Sequence, residues 1–306
     1  MKVIFVAPKI NISNELIKKL KEYAEVYFFE ESPIDIRNIK MLKEKGNKIL
    51  CPFPEPMAWN FPNKFIKEIP DLKAICLSTT SFSWIDGKLA RSLGIHLTNV
   101  PNPPNGVAEA AIFAMFAVAR RFSVTSKGEK FVYEPCNFLQ EVTNKTIGIV
   151  GLGRIGSRIA ELGKKLGMNV IYWSRNKKKC EYKYMEIEKL FKTADYIFPA
   201  LVLNDETNKF VSSKLIDLMK PTSSIITTLN KEIVDMNYLL KKVKSKKLYG
   251  CAFEDDEKTV MKKFEGNVFV MLPNNWYTKE TIDKKMEIWV DNIISVIKGK
   301  PINLVN

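Results

Sequence analysis

Short apolar runs alternate with amphipathic stretches along the first hundred residues. Five runs have the length of a buried strand: VIFVA (3–7), EVYFF (25–29), KILCPF (48–53), KAICLS (73–78) and IHLTNV (95–100). The stretches 15–23 and 85–93 between them place their apolar residues at helical spacing. Because strands that alternate with helices pair in parallel, this pattern predicts an α/β protein with a doubly wound parallel sheet.

The pattern changes at NVPNPPNG (99–106), where the prolines exclude both a helix and a central strand and predict a crossover between domains. The next stretch, 106–122, is apolar nearly all round, which predicts a helix buried between domains or subunits. The segment 146–175 then predicts a strand, turn, helix and strand. Alternation continues to about Gly266, and a last helix is expected from Thr281 to about Lys298. A second proline-rich segment, 51–62, predicts a surface loop.

The composition is that of a globular protein of two domains, with 306 residues, 46% hydrophobic and 27% charged. Pro8 and Lys9 end the first apolar run early, which favours a strand over a signal peptide, and no stretch is long enough to span a bilayer. The five cysteines are scattered without C-x-x-C spacing: Cys51, Cys76, Cys136, Cys180 and Cys251. This argues against a disulfide framework or a metal site and favours a reducing cytoplasm.

The net charge of +14 has two interpretations. It could serve a polyanionic partner, or it could reflect the lysine-rich surface of some thermophile proteins. The lysines are spread along the whole chain without an arginine–aromatic cluster. We therefore favour the second interpretation and expect neither a nucleic-acid partner nor a membrane.

Gly151, Gly153 and Gly156 form G-x-G-x-x-G between an apolar strand and an amphipathic helix, the context in which this otherwise weak motif binds dinucleotides. The first glycine permits the tight turn, the second lets a pyrophosphate approach the backbone, and the third lets helix and strand pack closely. Arg154 and Ile155 would offer backbone N–H groups at the positive end of the helix dipole. The alternative is a glycine-rich turn without a ligand.

The next strand ends in Ser174, Arg175, Asn176 and Lys177, where an NAD-binding unit would place an acid for the ribose hydroxyl. A carboxylate would repel a 2′-phosphate, whereas a hydroxyl and a guanidinium can bind it. These residues predict that NADP(H) is preferred over NAD(H). The alternative is an ordinary basic loop.

Several blocks in this order resemble the D-isomer-specific 2-hydroxyacid dehydrogenases: 98–121, the glycine motif with YWSRN, 201–220, 232–240 and the ending VIKGKPINLVN. The resemblance implies a Rossmann dinucleotide-binding domain, 100–278, inserted in a flavodoxin-like substrate domain of 1–99 plus 279–306. It also implies a homodimer formed through the nucleotide domain. By the same resemblance the cofactor contacts extend to Val202, Thr207, Thr228, Leu229 and Glu254, of which Glu254 would bond the nicotinamide carboxamide.

The chemistry implied by the resemblance uses a histidine as acid or base, a glutamate that orients it, and an arginine for the substrate carboxylate. The arginine position of this chain is Asn230, and the histidine position is Asn274, or Pro273 if the alignment slips by one. Glu257 is the nearest candidate for the glutamate, although it has no histidine to orient. The single histidine, His96, lies in a predicted strand away from these blocks, and we interpret it as structural.

Two further features bear on the substrate. Lys231, next to the missing arginine, could pair with a carboxylate or act as an acid if burial lowers its pKa, or it could be an exposed turn lysine. The resemblance also implies a first-domain loop that holds the substrate carboxylate with backbone N–H groups. Here that loop reads TTSFS (79–83), with Thr80, Ser81 and Phe82 as the candidates, and the family's glycine and acid are absent.

Two functions follow. The first is an NADP(H)-dependent oxidoreductase that transfers hydride between nicotinamide and a 2-oxo or 2-hydroxy acid with an atypical site. The second is a catalytically inactive NADP(H)-binding homologue with a regulatory or partner-binding role. The absent histidine and arginine favour the second as a mechanism, since asparagine can donate hydrogen bonds but cannot relay a proton at neutral pH. The usual activity of the family that the chain resembles favours the first.

Overall fold

The computed structural model describes residues 1–9, 12–126 and 133–306, without the side chain of Cys136. The chain forms two compact units. One comprises Met1–Pro103 together with Thr278–Asn306, and the other comprises Pro104–Tyr277.

The first unit is a parallel sheet of five strands in the order β2-β1-β3-β4-β5, the order of flavodoxin-like folds. Its strands are β1 (Lys2–Val6), β2 (Glu25–Phe29), β3 (Lys48–Pro52), β4 (Leu72–Cys76) and β5 (His96–Thr98). Its helices are α1 (Asn14–Lys21), α2 (Lys40–Lys43), α3 (Gly87–Ser92) and the C-terminal α11 (Lys279–Ile297).

Trp289 of α11 anchors that helix to the first sheet. Its ring is fully buried and lies edge-on to Phe5, with the ring centroids 5.1 Å apart. Its indole N–H donates to the carbonyl of Cys76 at 2.7 Å, so the polar group of this large buried side chain is satisfied. The last helix thereby belongs to the same core as the first strands of the chain.

The second unit is a parallel sheet of seven strands in the order β12-β11-β10-β9-β6-β7-β8. Its strands are β6 (Thr146–Val150), β7 (Asn169–Trp173), β8 (Lys183–Tyr184), β9 (Tyr196–Pro199), β10 (Ser224–Thr227), β11 (Gly250–Glu254) and β12 (Val268–Met271). Its helices are α4 (Asn105–Ala119), α5 (Phe122–Thr125), α6 (Arg154–Lys165), α7 (Ile187–Thr193), α8 (Ser213–Asp217), α9 (Met236–Lys244) and α10 (Glu257–Val260). The prediction of parallel, doubly wound sheets is confirmed.

The strand order of the second sheet reverses at β6. The chain runs from β6 outward through β7 to β8, and then returns to place β9 on the other side of β6. In open parallel sheets, ligands bind outside the carboxyl ends of the strands at such a reversal. The turns that follow β6, β7 and β9 therefore lie where such a sheet binds its ligand.

The long apolar helix is shorter than the sequence indicates, and part of its surface is exposed in the single chain. It ends at Ala119, because Arg121 has a φ of +52° and breaks the helix before α5. Five of its six alanines are buried, but 57% of Phe113 is exposed, as is 51% of Phe122 in α5. Both of these rings pack edge-on against Phe269 of β12, with centroids 5.8 and 6.1 Å away.

The prediction of a surface loop over 51–62 is wrong. The segment forms a short 3₁₀ turn at Glu55–Met57, and Pro56, Met57 and Phe61 are buried. Proline prevents a regular strand here, but the apolar rings and the methionine still pack into the core of the first unit. Trp59 is the exposed large side chain of the segment.

Cys51, Cys76 and Cys251 are buried and free, and Cys180 is exposed and free. Within the described residues, histidine, cysteine and acidic side chains form no cluster suited to a metal ion. In the same part of the chain, no helix is long and apolar enough to cross a membrane.

Candidate functional site

The turn after β6 is a sharp one that only glycine permits. Gly151 has a φ of +102°, and its N–H donates to the carbonyl of Trp173 at 2.8 Å. A Cβ at Gly151 would lie 2.6 Å from the carbonyl oxygen of Ala200, which follows β9. The first glycine is therefore required both by the backbone angle and by the neighbouring strand.

The other two glycines differ in what surrounds them. A Cβ at Gly156 would collide with the carbonyl oxygen of Gly151, so the start of α6 can lie this close to the turn only without a side chain there. A Cβ at Gly153 would meet nothing within 4 Å, and Gly153 caps α6 without a side chain. Open space therefore lies at the N-terminus of the helix, where the N–H groups of Arg154 and Ile155 belong to the first turn. This arrangement suits a phosphate.

The segment after β7 combines a buried hydroxyl with exposed cations. Ser174 is buried, and its hydroxyl donates to the carbonyl of Asn176 at 2.6 Å, which fixes the turn. The guanidinium of Arg175 extends into solvent and forms an ion pair with Glu206 at 2.5 Å. The ammonium of Lys177 lies over the ring of Tyr184, 4.7 Å from its centroid.

The segment after β9 forms a tightly bonded turn. The buried hydroxyl of Thr207 donates to the carbonyl of Val202 at 2.6 Å and accepts from the N–H of Asn204 at 2.8 Å. The side-chain oxygen of Asn204 accepts from the N–H groups of Glu206 and Thr207, each at 3.0 Å. Val202 itself is exposed. These bonds fix the backbone that carries Glu206.

Thr228, Leu229 and Asn230 follow β10, Thr228 being buried and the other two partly so. Lys231 then begins a short 3₁₀ turn, and its ammonium is 2.5 Å from the carboxylate of Asp255. Burial by itself would raise the pKa of Asp255, but hydrogen bonds, first that from Lys231, outweigh it and lower the pKa. Lys231 is therefore paired with Asp255 and is not an exposed turn lysine.

Glu254 lies at the carboxyl end of β11 and is half-buried. The side-chain amide of Asn275, in the segment after β12, donates a hydrogen bond to its carboxylate. Burial raises the pKa of Glu254 to about 7, although the bond from Asn275 opposes this shift. The chain therefore places a carboxyl group that titrates near neutral pH at the same edge of the sheet as the glycine turn.

The other residues named for catalysis are exposed. Glu257 is the first residue of α10, and Asn274 lies two residues after Leu272 in the turn beyond β12, where its N–H donates to the Leu272 carbonyl. His96 is an exposed residue at the start of β5 in the first unit. Within the second unit no imidazole is present, because His96 is the single histidine of the sequence.

The predicted substrate loop of the first unit follows β4. The hydroxyl of Thr80 donates to the carbonyl of Val100 at 2.8 Å, and the indole N–H of Trp84 donates to the carbonyl of Ser81 at 3.1 Å. Thr80, Ser81 and Phe82 are exposed. The loop is thus tied to its own unit, with its three candidate residues facing solvent.

Three partners were not foreseen from the sequence: Glu206 for Arg175, Asp255 for Lys231, and Asn275 for Glu254. All three lie in segments that follow strands of one sheet. The shared carboxyl edge of a parallel sheet is the one signal that could have suggested these pairs. The choice among neighbouring residues, such as Asn274 or Asn275, depends on the path of each turn.

Known proteins place this fold and site in a family. Residues 110–279, more than half of the chain, match the model of the D-isomer specific 2-hydroxyacid dehydrogenase, NAD binding domain. The protein belongs to the D-isomer specific 2-hydroxyacid dehydrogenase family, and its second unit contains the family's NAD-binding domain.

Individual relatives agree with this assignment. The chain is 28% identical to a glyoxylate reductase of Thermococcus litoralis over 98% of its own length and 97% of the relative's. A solved acyclic imino acid reductase (Bsp5), in complex with NADPH and D-Arg, superposes with a TM-score of 0.78 at 26% identity and full coverage of both chains. An NAD-complexed family member from Lactobacillus delbrueckii ssp. bulgaricus shares the fold, with a TM-score of 0.81 at 20% identity over both complete chains.

The glycine turn yields a prediction that separates folding from binding. We expect Gly156→Ala to lower the melting temperature, because its methyl group meets backbone that cannot move aside, at a cost of about 1–3 kcal/mol. We expect Gly153→Ala to leave the melting temperature nearly unchanged but to weaken NADPH binding about tenfold or more, because its methyl group fills the space at the helix N-terminus. Thermal unfolding and fluorescence titration measure the two effects. Equal loss of stability in both variants would contradict this interpretation.

Glu254 yields a prediction on pH. Because its pKa rises from 4.5 to about 7 on folding, the folded state binds more protons than the unfolded state between these values. Its contribution to stability therefore falls as pH rises through this window, by about 1–2 kcal/mol once solvent screening of a partly exposed group is allowed for. The measurement compares thermal unfolding of the wild type and of Glu254→Gln from pH 4.5 to 8. The free energy of unfolding of Glu254→Gln should rise relative to that of the wild type up to about pH 7, and the difference should be constant above it. A difference independent of pH would show that Glu254 titrates normally.

Proposed function

We propose that the protein is an NADP(H)-dependent oxidoreductase that interconverts a 2-oxo acid and a 2-hydroxy acid with an atypical site. The observation that carries the proposal is the glycine turn. Gly156 is crowded by backbone, whereas Gly153 faces open space at a helix N-terminus. This is the shape that a pyrophosphate needs, and the family membership supports the same use.

The cofactor residues that we propose lie at or just after the carboxyl ends of five neighbouring strands. They are Gly151, Gly153, Arg154, Ile155 and Gly156 after β6, Ser174, Arg175, Asn176 and Lys177 after β7, Val202 and Thr207 after β9, Thr228 and Leu229 after β10, and Glu254 at the end of β11. When bound, the nicotinamide would supply or accept the hydride. The four proposed residues after β7 include no acid and two cations, Arg175 and Lys177, which supports a preference for the 2′-phosphate of NADP(H).

The residues that we propose for acid–base chemistry and for binding the substrate carboxylate differ from the histidine and arginine of the family pattern. Asn230 and Asn274 can donate hydrogen bonds to a substrate, and Lys231 can add a positive charge if Asp255 releases it. Glu257 would contribute only a charge at an exposed position. In the first unit, Thr80, Ser81 and Phe82 are the proposed contacts for the substrate carboxylate.

The missing imidazole supports a second candidate function. Removing a general acid typically lowers the rate by about 10²- to 10⁴-fold. The intact glycine turn is equally consistent with an inactive homologue that binds NADP(H) and acts through a partner. For either function we propose a cytoplasmic protein, without a nucleic-acid or membrane partner.

Turnover separates the two functions. We expect purified protein to bind NADPH more tightly than NADH in a fluorescence titration, and to oxidise NADPH, followed at 340 nm, when given 2-oxo acids. The panel begins with glyoxylate and hydroxypyruvate, and a rate on the order of 1 per second is ordinary for an enzyme. NADPH binding without turnover on any 2-oxo acid would favour the inactive homologue. Absence of NADPH binding would contradict both functions.

We further propose a homodimer formed through the second unit, because an aromatic patch of Phe113, Phe122 and Phe269 lies at its surface and large exposed rings mark association sites. Sedimentation equilibrium should give twice the chain mass of 35.1 kDa. Phe113→Asp should shift the protein toward the monomer, because it places a charge in the apolar contact. A control variant, Tyr23→Asp, changes an exposed ring in the first unit. If Phe113→Asp stays dimeric, or if Tyr23→Asp also becomes monomeric, the aromatic patch is not the dimer interface.

A further inference from the structure

The ion pair between Arg175 and Glu206 spans the reversal point of the second sheet. Arg175 follows β7 and Glu206 follows β9, and these two strands flank β6. The turn between them, after β6, carries Gly151 and Gly153. The guanidinium and the carboxylate are 2.5 Å apart, so the pair links the two sides of the candidate nucleotide site.

The pair is solvated and easily exchanged. The side chain of Arg175 is 73% exposed and that of Glu206 is 72% exposed. Exposed ion pairs of this kind contribute little to stability, because water screens the charges and two long side chains must be held in place. A phosphate monoester carries nearly two negative charges and three acceptor oxygens, so it can displace a single carboxylate from a guanidinium.

Glu206 cannot withdraw far from that position. Its backbone N–H donates to the side chain of Asn204, and the neighbouring Thr207 is buried with its hydroxyl bonded on both sides. Rotation of the glutamate side chain is therefore the main freedom left to it. A phosphate bound to Arg175 therefore has to displace the Glu206 carboxylate, whose charge stays on the neighbouring turn and opposes that of the phosphate.

We propose that Glu206 is a specificity-determining residue that competes with the 2′-phosphate of NADP(H) for Arg175 and so reduces the preference for NADP(H) over NAD(H). This inference rests on the proposed function, since it assumes that the site binds a dinucleotide. The sequence alone assigns the choice between NADP(H) and NAD(H) to the segment after β7. In the structure, Glu206 on the turn after β9 places an acid beside that segment, which has none at the end of β7.

The test compares two nucleotides that differ by one phosphate, 2′,5′-ADP and 5′-ADP, by calorimetric titration of the full chain. We expect Glu206→Gln to raise the ratio of their affinities, in favour of 2′,5′-ADP, about three- to tenfold. Asp205→Asn removes the same charge from the adjacent exposed residue, and we expect it to change the ratio less than twofold. In the Arg175→Ala background, Glu206→Gln should have no further effect on the ratio.

Three results would overturn the inference: an unchanged or lower ratio in Glu206→Gln, an equal change in Asp205→Asn, or an undiminished effect of Glu206→Gln without Arg175. The first two substitutions are at exposed side chains, and circular dichroism checks that both variants are folded. If the wild type and Glu206→Gln bind neither nucleotide, the proposed function fails together with the inference. If the wild type binds both nucleotides and the ratio does not respond, only the inference fails.

Discussion

The close approach of α6 to the end of β6 is the constraint on which the candidate site depends. A positive φ at Gly151 turns the chain sharply, and the absence of a side chain at Gly156 lets the helix begin against that turn. The helix N-terminus is thereby fixed at the carboxyl edge of the sheet, beside the point where the strand order reverses. Open space and the positive end of the helix dipole then coincide at Gly153. The other candidate cofactor residues lie at or beyond the carboxyl ends of strands of the same sheet.

Much of this arrangement could be predicted from the sequence, because it depends on local signals. Apolar runs of strand length between amphipathic segments determine parallel sheets, and G-x-G-x-x-G between a strand and a helix specifies its own geometry. One local prediction was wrong. The prolines of 51–62 were interpreted without knowledge of packing, which buries Met57 and Phe61.

The side-chain pairs could not be predicted, because they join residues far apart in the sequence. Lys231 and Asp255, like Glu254 and Asn275, meet only because parallel strands end at one edge and their turns bend toward each other. These pairs change the chemistry of the site. Lys231, a candidate for the substrate carboxylate, forms an ion pair with Asp255. Burial raises the pKa of Glu254, which the family resemblance assigns to the nicotinamide amide, to about 7. The protein thus combines a conventional dinucleotide turn with ionisable groups unlike those implied for catalysis.

We propose that the turn after β6 holds the pyrophosphate of NADP(H) while Arg175 faces its 2′-phosphate. A crystal structure of the protein with NADPH tests this directly. We expect pyrophosphate oxygens within hydrogen-bonding distance of the N–H groups of Arg154 and Ile155, and an Arg175 guanidinium that has left Glu206 for the 2′-phosphate. A nucleotide bound elsewhere, or one whose 2′-phosphate points away from an intact Arg175–Glu206 pair, would contradict it.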